Sequence, residues 1–286
     1  MTILSRTRDA CRETIEQAMS QPTTTETHTR SSLFIGSTDK TFRVLHAFDG
    51  PARHLTLIDI ARTTGLDRSS TQRVVHTLEA LGYLHRIPDT RMYGLTTKVL
   101  QFSYNYLRAN ELIEKASPYL LDMSRRLGET TNLLELDANE IVFVARFPGQ
   151  HLVNMDIVVG ARLPAMFTAA GIAIMSRLSE ERVKAILAQT RLEPLTPFTE
   201  TDPQRLLERI RKVARRGYAV AENETVFGDI SIAAPVTDYG GIGVAAINIS
   251  VPTSRWTLKR AEAELAQHVQ VAATSISKSR LSALRR

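Results

Sequence analysis

Between residues 56 and 95 the spacing of apolar positions changes in a way that predicts a defined supersecondary unit. Leu57, Ile60 and Ala61 recur at helical spacing, and Gly65 supplies the backbone freedom that ends a helix. Asp67 then suits an N-cap whose carboxylate accepts the N–H of Ser70, and Val74, Val75, Leu78 and Leu81 form the predicted buried stripe of a second helix. From Leu84 to Leu95 residues alternate either side of Pro88-Asp89, as a hairpin requires. Helix, tight turn, helix and hairpin in this order make a winged helix-turn-helix. The second helix turns Arg68, Ser69, Thr71, Gln72, Arg73 and His76 outward, with Ser70 beside them, and Arg86 and Arg91 flank the hairpin tip. Guanidinium and carboxamide groups at such positions reach phosphates and purine edges of double-stranded DNA. A basic helix alone is equally a solvated surface helix; the ordered combination with a turn glycine and a basic hairpin favours DNA.

The same patterning divides the rest of the chain. Residues 1–36 read as an arm, with a short helix over Cys11 to Met19 and a polar, disordered stretch around 20–32. A helix from about Thr38 to Phe48, with Phe42, Val44, Leu45 and Phe48 inward, opens a DNA-binding domain at 37–97. A linker helix over 98–110 carries Val99, Phe102 and Tyr106 as a stripe suited to its own domain's core or to a dimer contact. The pattern then becomes mixed over 111–286. A helix runs from Glu111 to Leu127, and strands are predicted near 133–136, 141–146 and 152–159. Helices follow near 168–178, 180–189 and 203–216, and strands near 218–222, 230–236 and 242–250. Leu258, Ala261, Leu265, Val269, Ala272 and Ile276 mark a long terminal helix. The fold class is therefore α+β, with two sets of strands predicting a mixed sheet flanked by helices, the layout of a small-molecule sensor.

Composition narrows the function. A formal charge of +6 and a pI near 9.6 favour polyanionic partners, and 43% apolar content suits globular domains. From Ser37 to Lys98 there are nine Lys or Arg against six Asp or Glu. The single cysteine, Cys11, excludes an intramolecular disulfide and a thiolate cluster, which fits a reducing cytoplasm. No run of about 18 apolar residues predicts a membrane partner. The seven histidines show no metal-ligand spacing, no Gly-x-Ser-x-Gly elbow is present, and Gly240-Gly241-Ile242-Gly243 sits in a hairpin turn. Glu222 and Glu224 suggest acid–base work less than solvation or ligand orientation. No catalytic residue, metal or cofactor is therefore expected.

Several separated motifs carry a family resemblance. Gly36-Ser37-Thr38-Asp39-Lys40-Thr41-Phe42-Arg43-Val44-Leu45, Gly65-Leu66-Asp67-Arg68-Ser69-Ser70 and Thr77-Leu78-Glu79-Ala80-Leu81-Gly82-Tyr83-Leu84 resemble the N-terminal domain of the IclR family of bacterial transcription regulators. Gly160-Ala161-Arg162-Leu163-Pro164, Thr168-Ala169-Ala170-Gly171, Gly217-Tyr218-Ala219 and the run from Gly228 to Val236 resemble its effector-binding domain. The recognition helix is most similar to regulators of aromatic-acid catabolism. The resemblance implies a GAF-like sensor, a homodimer through the DNA-binding domains and a homotetramer as a pair of dimers. It also implies a pocket lined by Thr168, Ala169, Ala170, Gly171, Glu222, Ser231, Asn248 and Ser250, with Leu133, Phe143 and Met155 as apolar walls. Met166, also placed in the pocket, and Ile172 stand where the family often has His and Lys, so an aromatic or larger organic acid, or a neutral derivative of one, is the expected effector. The leading function is a ligand-responsive repressor; the alternative is an enzyme on small organic acids with an appended DNA-binding domain.

Overall fold

The computed structural model describes residues 32–150 and 157–278. The expected arm lies almost wholly outside them. Two compact units result, one ending at Arg108 and the other beginning at Ala109.

In the first unit α1 (Gly36–His46) leads through a 3-10 turn to β1 (Leu55–Thr56), α2 (Leu57–Thr64), α3 (Arg68–Ala80), β2 (Leu84–Arg86) and β3 (Met92–Leu95), and α4 (Leu100–Ala109) follows. Local chemistry fixes the boundaries. Thr56 and Asp59 cap α2 reciprocally, Gly65 ends it at φ 66°, and Asp67 caps α3. Val44, Ile60, Val75, Leu78 and Leu84 form the core between the three helices and the small antiparallel sheet, whose order is β1-β3-β2. Two residues expected inside are outside. Phe42 is 57% exposed because it lies two residues from buried Val44, about 200° around the helix at 100° per residue. Leu81 is 53% exposed because α3 has already ended and Leu81 is its C-cap.

In the second unit Asn110 caps α5 (Glu111–Leu127), and Gly128 ends it. The strands are β4 (Thr130–Asp137), β5 (Glu140–Phe147), β6 (Arg162–Pro164), β7 (Ala219–Glu222), β8 (Asp229–Thr237) and β9 (Gly243–Pro252). Between β6 and β7 run α6 (Ala169–Met175), α7 (Glu180–Gln189) and α8 (Pro203–Arg216), and α9 (Leu258–Lys278) closes the unit. The sheet order is β6-β5-β4-β9-β8-β7, and every pairing is antiparallel, which corrects the expected mixed sheet. The helical crossover carries the chain from one edge strand to the other, so among the described residues no strand is laid beside a parallel neighbour. The strand expected at 152–159 falls partly outside the described residues, and 157–159 are not strand; the edge is formed by β6.

Both faces of the sheet are covered. Leu120, Leu133, Ile247, Ile249 and Val269 belong to a core shared with α5 and α9, whereas Leu134, Phe143, Ile172, Ile186 and Ile210 belong to the core on the other face, with α6, α7 and α8. No helix among the described residues is long and apolar enough to cross a membrane. Gly171 lies where α6 presses on the preceding turn, and a Cβ there would overlap the backbone of Ala165. Gly171→Ala should therefore lower unfolding free energy by about 1–3 kcal/mol or more in denaturant titrations; unchanged stability would show that α6 is not packed this closely.

Candidate functional site

The first candidate surface is α3 and the hairpin that follows. Ser70 N–H donates to Asp67 Oδ1 at 2.8 Å, and hydrogen bonding with Ser70 holds the Asp67 carboxyl below its usual range. This cap fixes the start of the helix that presents Arg68, Ser69, Gln72, Arg73 and His76 to solvent. Thr71 departs from expectation. It is 1% exposed and its hydroxyl donates to the Asp67 carbonyl at 2.9 Å, because it shares the inward face with Val75 and Leu78 at helical spacing. Ser70 is half-buried, with its hydroxyl 3.4 Å from Lys40 Nζ. Arg86 and Arg91 are exposed on β2 and just ahead of β3. Lys98, which sequence reasoning passed over, donates to the Leu81 carbonyl at 2.7 Å and lies over the Tyr83 ring, closing the C-terminal end of α3.

The second candidate site is a pocket on the α6 side of the large sheet. It gathers Phe143, Thr168, Ala169, Ala170, Ser231, Asn248 and Ser250 from the expected set. Leu133 and Glu222 are not among them. Strand side chains alternate between faces, so Leu133 packs into the core with α5 and α9 while Asn132 and Leu134 line the pocket. By the same alternation Ala221 faces the pocket and its neighbour Glu222 the opposite side. Met166 is fully buried in the core around α6 and does not reach the pocket wall, and Gly171 serves close packing. Met155 lies outside the described residues. The Thr168 hydroxyl accepts from Gly171 N–H at 2.9 Å, so this donor of the short helix is engaged within the protein. Glu224 does not pair with Glu222 as an acid–base couple; it is 2.6 Å from Arg209 in an ion pair.

The polar chemistry that sequence reasoning missed is Asn132, Arg146 and Asp229. A row of side chains crosses four adjacent strands. Arg146 Nη1 donates to Asn132 Oδ1 at 3.1 Å, Asn132 Nδ2 to Asn248 Oδ1 at 2.7 Å, and Asn248 Nδ2 to Ser231 Oγ at 2.7 Å. Ser250 Oγ donates to Asp229 Oδ1 at 2.5 Å. Around this row stand Leu134, Ile141, Phe143, Ile157, Leu163 and Val226. Burial pushes the Asp229 carboxyl up to about 7, against the opposing pull of the Ser250 hydrogen bond and the Arg146 charge. The signal for Arg146 was present: it is the first charge after the apolar run Ile141 to Ala145, at pocket-facing parity with Asn132 across the β4–β5 pair.

A mostly apolar pocket with one guanidinium and a satisfied amide row suits an organic anion. A helix-turn-helix unit and such a pocket in one chain are the parts of a one-component transcription regulator. The sequence matches the family described as IclR helix-turn-helix domain over residues 37–88 and that described as Bacterial transcriptional regulator IclR C-terminal over 104–278, and the chain belongs to the IclR family. It is 33% identical to the Pca regulon regulatory protein of Pseudomonas putida over 252 residues, covering 86% of each chain. It is 32% identical to the p-hydroxybenzoate hydroxylase transcriptional activator of Acinetobacter baylyi, covering 79% of this chain and 84% of that one. A crystal structure of an IclR homologue from Microbacterium hydrocarbonoxydans complexed with 4-hydroxybenzoate superposes with a TM-score of 0.69 at 25% identity, covering 84% of this chain and 97% of that chain. These relatives set aside the enzyme alternative.

Two outcomes follow from this geometry. Arg68→Ala and Arg73→Ala should each weaken operator binding by about 1–3 kcal/mol where a base contact is lost, or flatten its salt dependence where a phosphate contact is lost. Thr71→Ala should instead lower the unfolding midpoint. Anisotropy titrations at several salt concentrations separate these effects, and unchanged affinity in both arginine variants would displace α3 from the DNA. Asp229 supplies the second outcome. Its folded-state pKa lies above its unfolded value, so the folded state holds the extra proton, and this stability is complete below about pH 4 and lost as pH rises through about 7. Asp229→Asn should therefore gain stability relative to the parent protein between pH 4.5 and 8, on the order of 3 kcal/mol. A constant difference across that range in denaturant unfolding would contradict a buried, proton-retaining carboxyl.

Proposed function

We propose that this protein represses a catabolic operon and releases its operator when an organic acid, an aromatic one, occupies the pocket. The observation that carries this reading is Arg146, a permanent cation set among apolar walls and tied through Asn132 and Asn248 to the centre of the sheet. A carboxylate on that guanidinium gains a charge-assisted bond in a poorly hydrated site, and the apolar walls take up the rest of the molecule. Regulators named for the Pca regulon and for p-hydroxybenzoate hydroxylase, and a homologue holding 4-hydroxybenzoate, support an aromatic acid here.

The division of labour we propose assigns 37–97 to DNA, 98–110 to the link and 111–286 to the effector. Operator recognition by a homodimer, and a tetramer as a pair of dimers, draws support from α4, where Leu100, Phe102, Tyr104 and Tyr106 are all exposed. Phe102 also stacks on Tyr83 with ring centroids 6.0 Å apart, so that face of α4 is anchored in the DNA-binding unit. Occupancy has a route to the junction. The cavity is narrow, about 30 Å³, so a benzoate ring must part its walls. One wall is β4, and Glu135 of β4 accepts from Asn110 Nδ2 at 2.6 Å, the residue that caps α5 immediately after α4. The ligand acts by favouring one arrangement over another, with a coupling of about 1–3 kcal/mol, or roughly 5- to 150-fold in operator affinity.

The test uses full-length protein and an operator selected from random duplexes. Benzoate and hydroxybenzoates should weaken operator binding within that range and raise transcription from the operator-bearing template in vitro. Ser231→Ala should raise the acid concentration needed at least several-fold while leaving ligand-free operator affinity unchanged. Tighter DNA binding with acid, or transcription that falls, would overturn the repressor assignment; an unaltered acid response in Ser231→Ala would overturn the pocket assignment.

A further inference from the structure

We propose that the pocket selects monocarboxylic acids that carry a hydroxyl at the end remote from the carboxylate, and that Asp229, oriented by Ser250, is the residue that reads this hydroxyl. The inference rests on the reading of Arg146 as the carboxylate anchor and goes beyond it by assigning the opposite end of the ligand.

Among the described residues lining the pocket, Arg146 and Asp229 alone carry charge. They come from opposite sides of the polar row: Arg146 from β5, Asp229 from the first position of β8, with β4 and β9 between them. A carboxylate ligand pairs with the guanidinium and is repelled by an ionised Asp229, so its two ends are sorted by charge. A second carboxylate at the far end would face Asp229 with no other cation among the described pocket residues, which disfavours dicarboxylates. An apolar or ether group there would leave a desolvated acceptor without a donor, and that loss is large where water is excluded. A hydroxyl meets the requirement. Ser250 donates to one oxygen of Asp229, and a carboxylate offers two oxygens with about four lone-pair sites, so acceptor capacity is left for a ligand O–H. Asn248 and Ser231 are bonded to each other and, through Asn132, to Arg146, which leaves Asp229 as the acceptor bearing charge at that end.

Ionisation sets a second signature. Among the described residues, the groups lining the pocket beside Asp229 are Ser250 on β9, Ser231 on its own strand and Thr225 in the preceding loop, none of which titrates near neutrality, and Arg146 on β5 stays charged throughout. Burial raises the Asp229 carboxyl to about 7. The ionised carboxylate is the stronger acceptor, so preference for a hydroxylated acid over its ether rises from pH 6 to pH 8; a protonated Asp229 donating to the ligand gives the opposite trend.

The experiment is calorimetric titration of the full-length protein with benzoate, 3- and 4-hydroxybenzoate, the matching methoxybenzoates, terephthalate, and hexanoate with 6-hydroxyhexanoate, at pH 6 and pH 8. The parent protein should bind one hydroxy acid at least tenfold more tightly than its ether or unsubstituted partner at pH 8, with a smaller preference at pH 6 and no measurable terephthalate binding. Asp229→Ala should reduce the preference to under threefold while retaining binding of the unsubstituted acid. Asp229→Asn, which keeps the shape and also offers an acceptor, controls for disruption of the pocket and should retain a partial preference. If unsubstituted, ether and hydroxy acids bind equally to the parent protein, or if Asp229→Ala keeps the preference, the inference is overturned while the carboxylate reading stands. If no monocarboxylate binds, the carboxylate reading fails and the inference falls with it.

Discussion

The placing of one half-buried guanidinium, that of Arg146, among apolar pocket walls organises the polar chemistry of the second unit. Arginine stays protonated at all accessible pH, so half-buried Arg146 cannot shed its charge as Asp229 can. The fold answers with a row of amides and hydroxyls spanning four strands, each donating to the next, which spreads the charge into the centre of the sheet. Such a network is stable only when its members hold their geometry, and the sheet supplies that rigidity by being packed on both faces. The pocket is therefore polar along its floor, apolar along its walls and positive at one end. These three properties together suit an organic anion.

The alternation of strand side chains decides which residues share in that chemistry. Asn132 and Leu134 face α6 and the pocket; Leu133, between them, packs with α5 and α9. In a sheet solvated on one face such parity is legible as alternating polarity. Here both faces are covered, and β8 reads as an almost unbroken buried run, so the sequence carries little information on which face is which. That is why Leu133 and Glu222 were expected in the pocket, and why Asn132 and Asp229 were not. Ser231, Asn248 and Ser250 are legible through the family resemblance, Ser231 within the motif from Gly228 to Val236, and not through a period in their strands. The antiparallel topology was hidden for a related reason: strands in two sets separated by helices suggest parallel crossovers, and only the spatial order shows the crossover joining opposite edges.

The DNA-binding unit was far more legible. Its elements begin and end at residues with strong local preferences, such as the Thr56–Asp59 box, Gly65 and Asp67, so caps and turn announce themselves without tertiary information. What failed there was phase at the margins. Phe42 and Leu81 are apolar and near the expected stripes, yet one lies on the wrong side of α1 and the other beyond the last turn of α3. Thr71 failed in the other direction, a polar residue that turns inward because its hydroxyl returns to the Asp67 carbonyl.

The central claim is that charge recognition at Arg146 is what the DNA-binding helix ultimately reports. The most direct measurement is operator affinity of full-length protein titrated with a hydroxybenzoate and, separately, with the corresponding uncharged amide, for the parent protein and for Arg146→Gln. The account predicts that the acid releases operator from the parent protein and the amide does not, and that Arg146→Gln binds operator normally but no longer distinguishes acid from amide. An Arg146→Gln protein that still releases operator in response to the acid alone would contradict it.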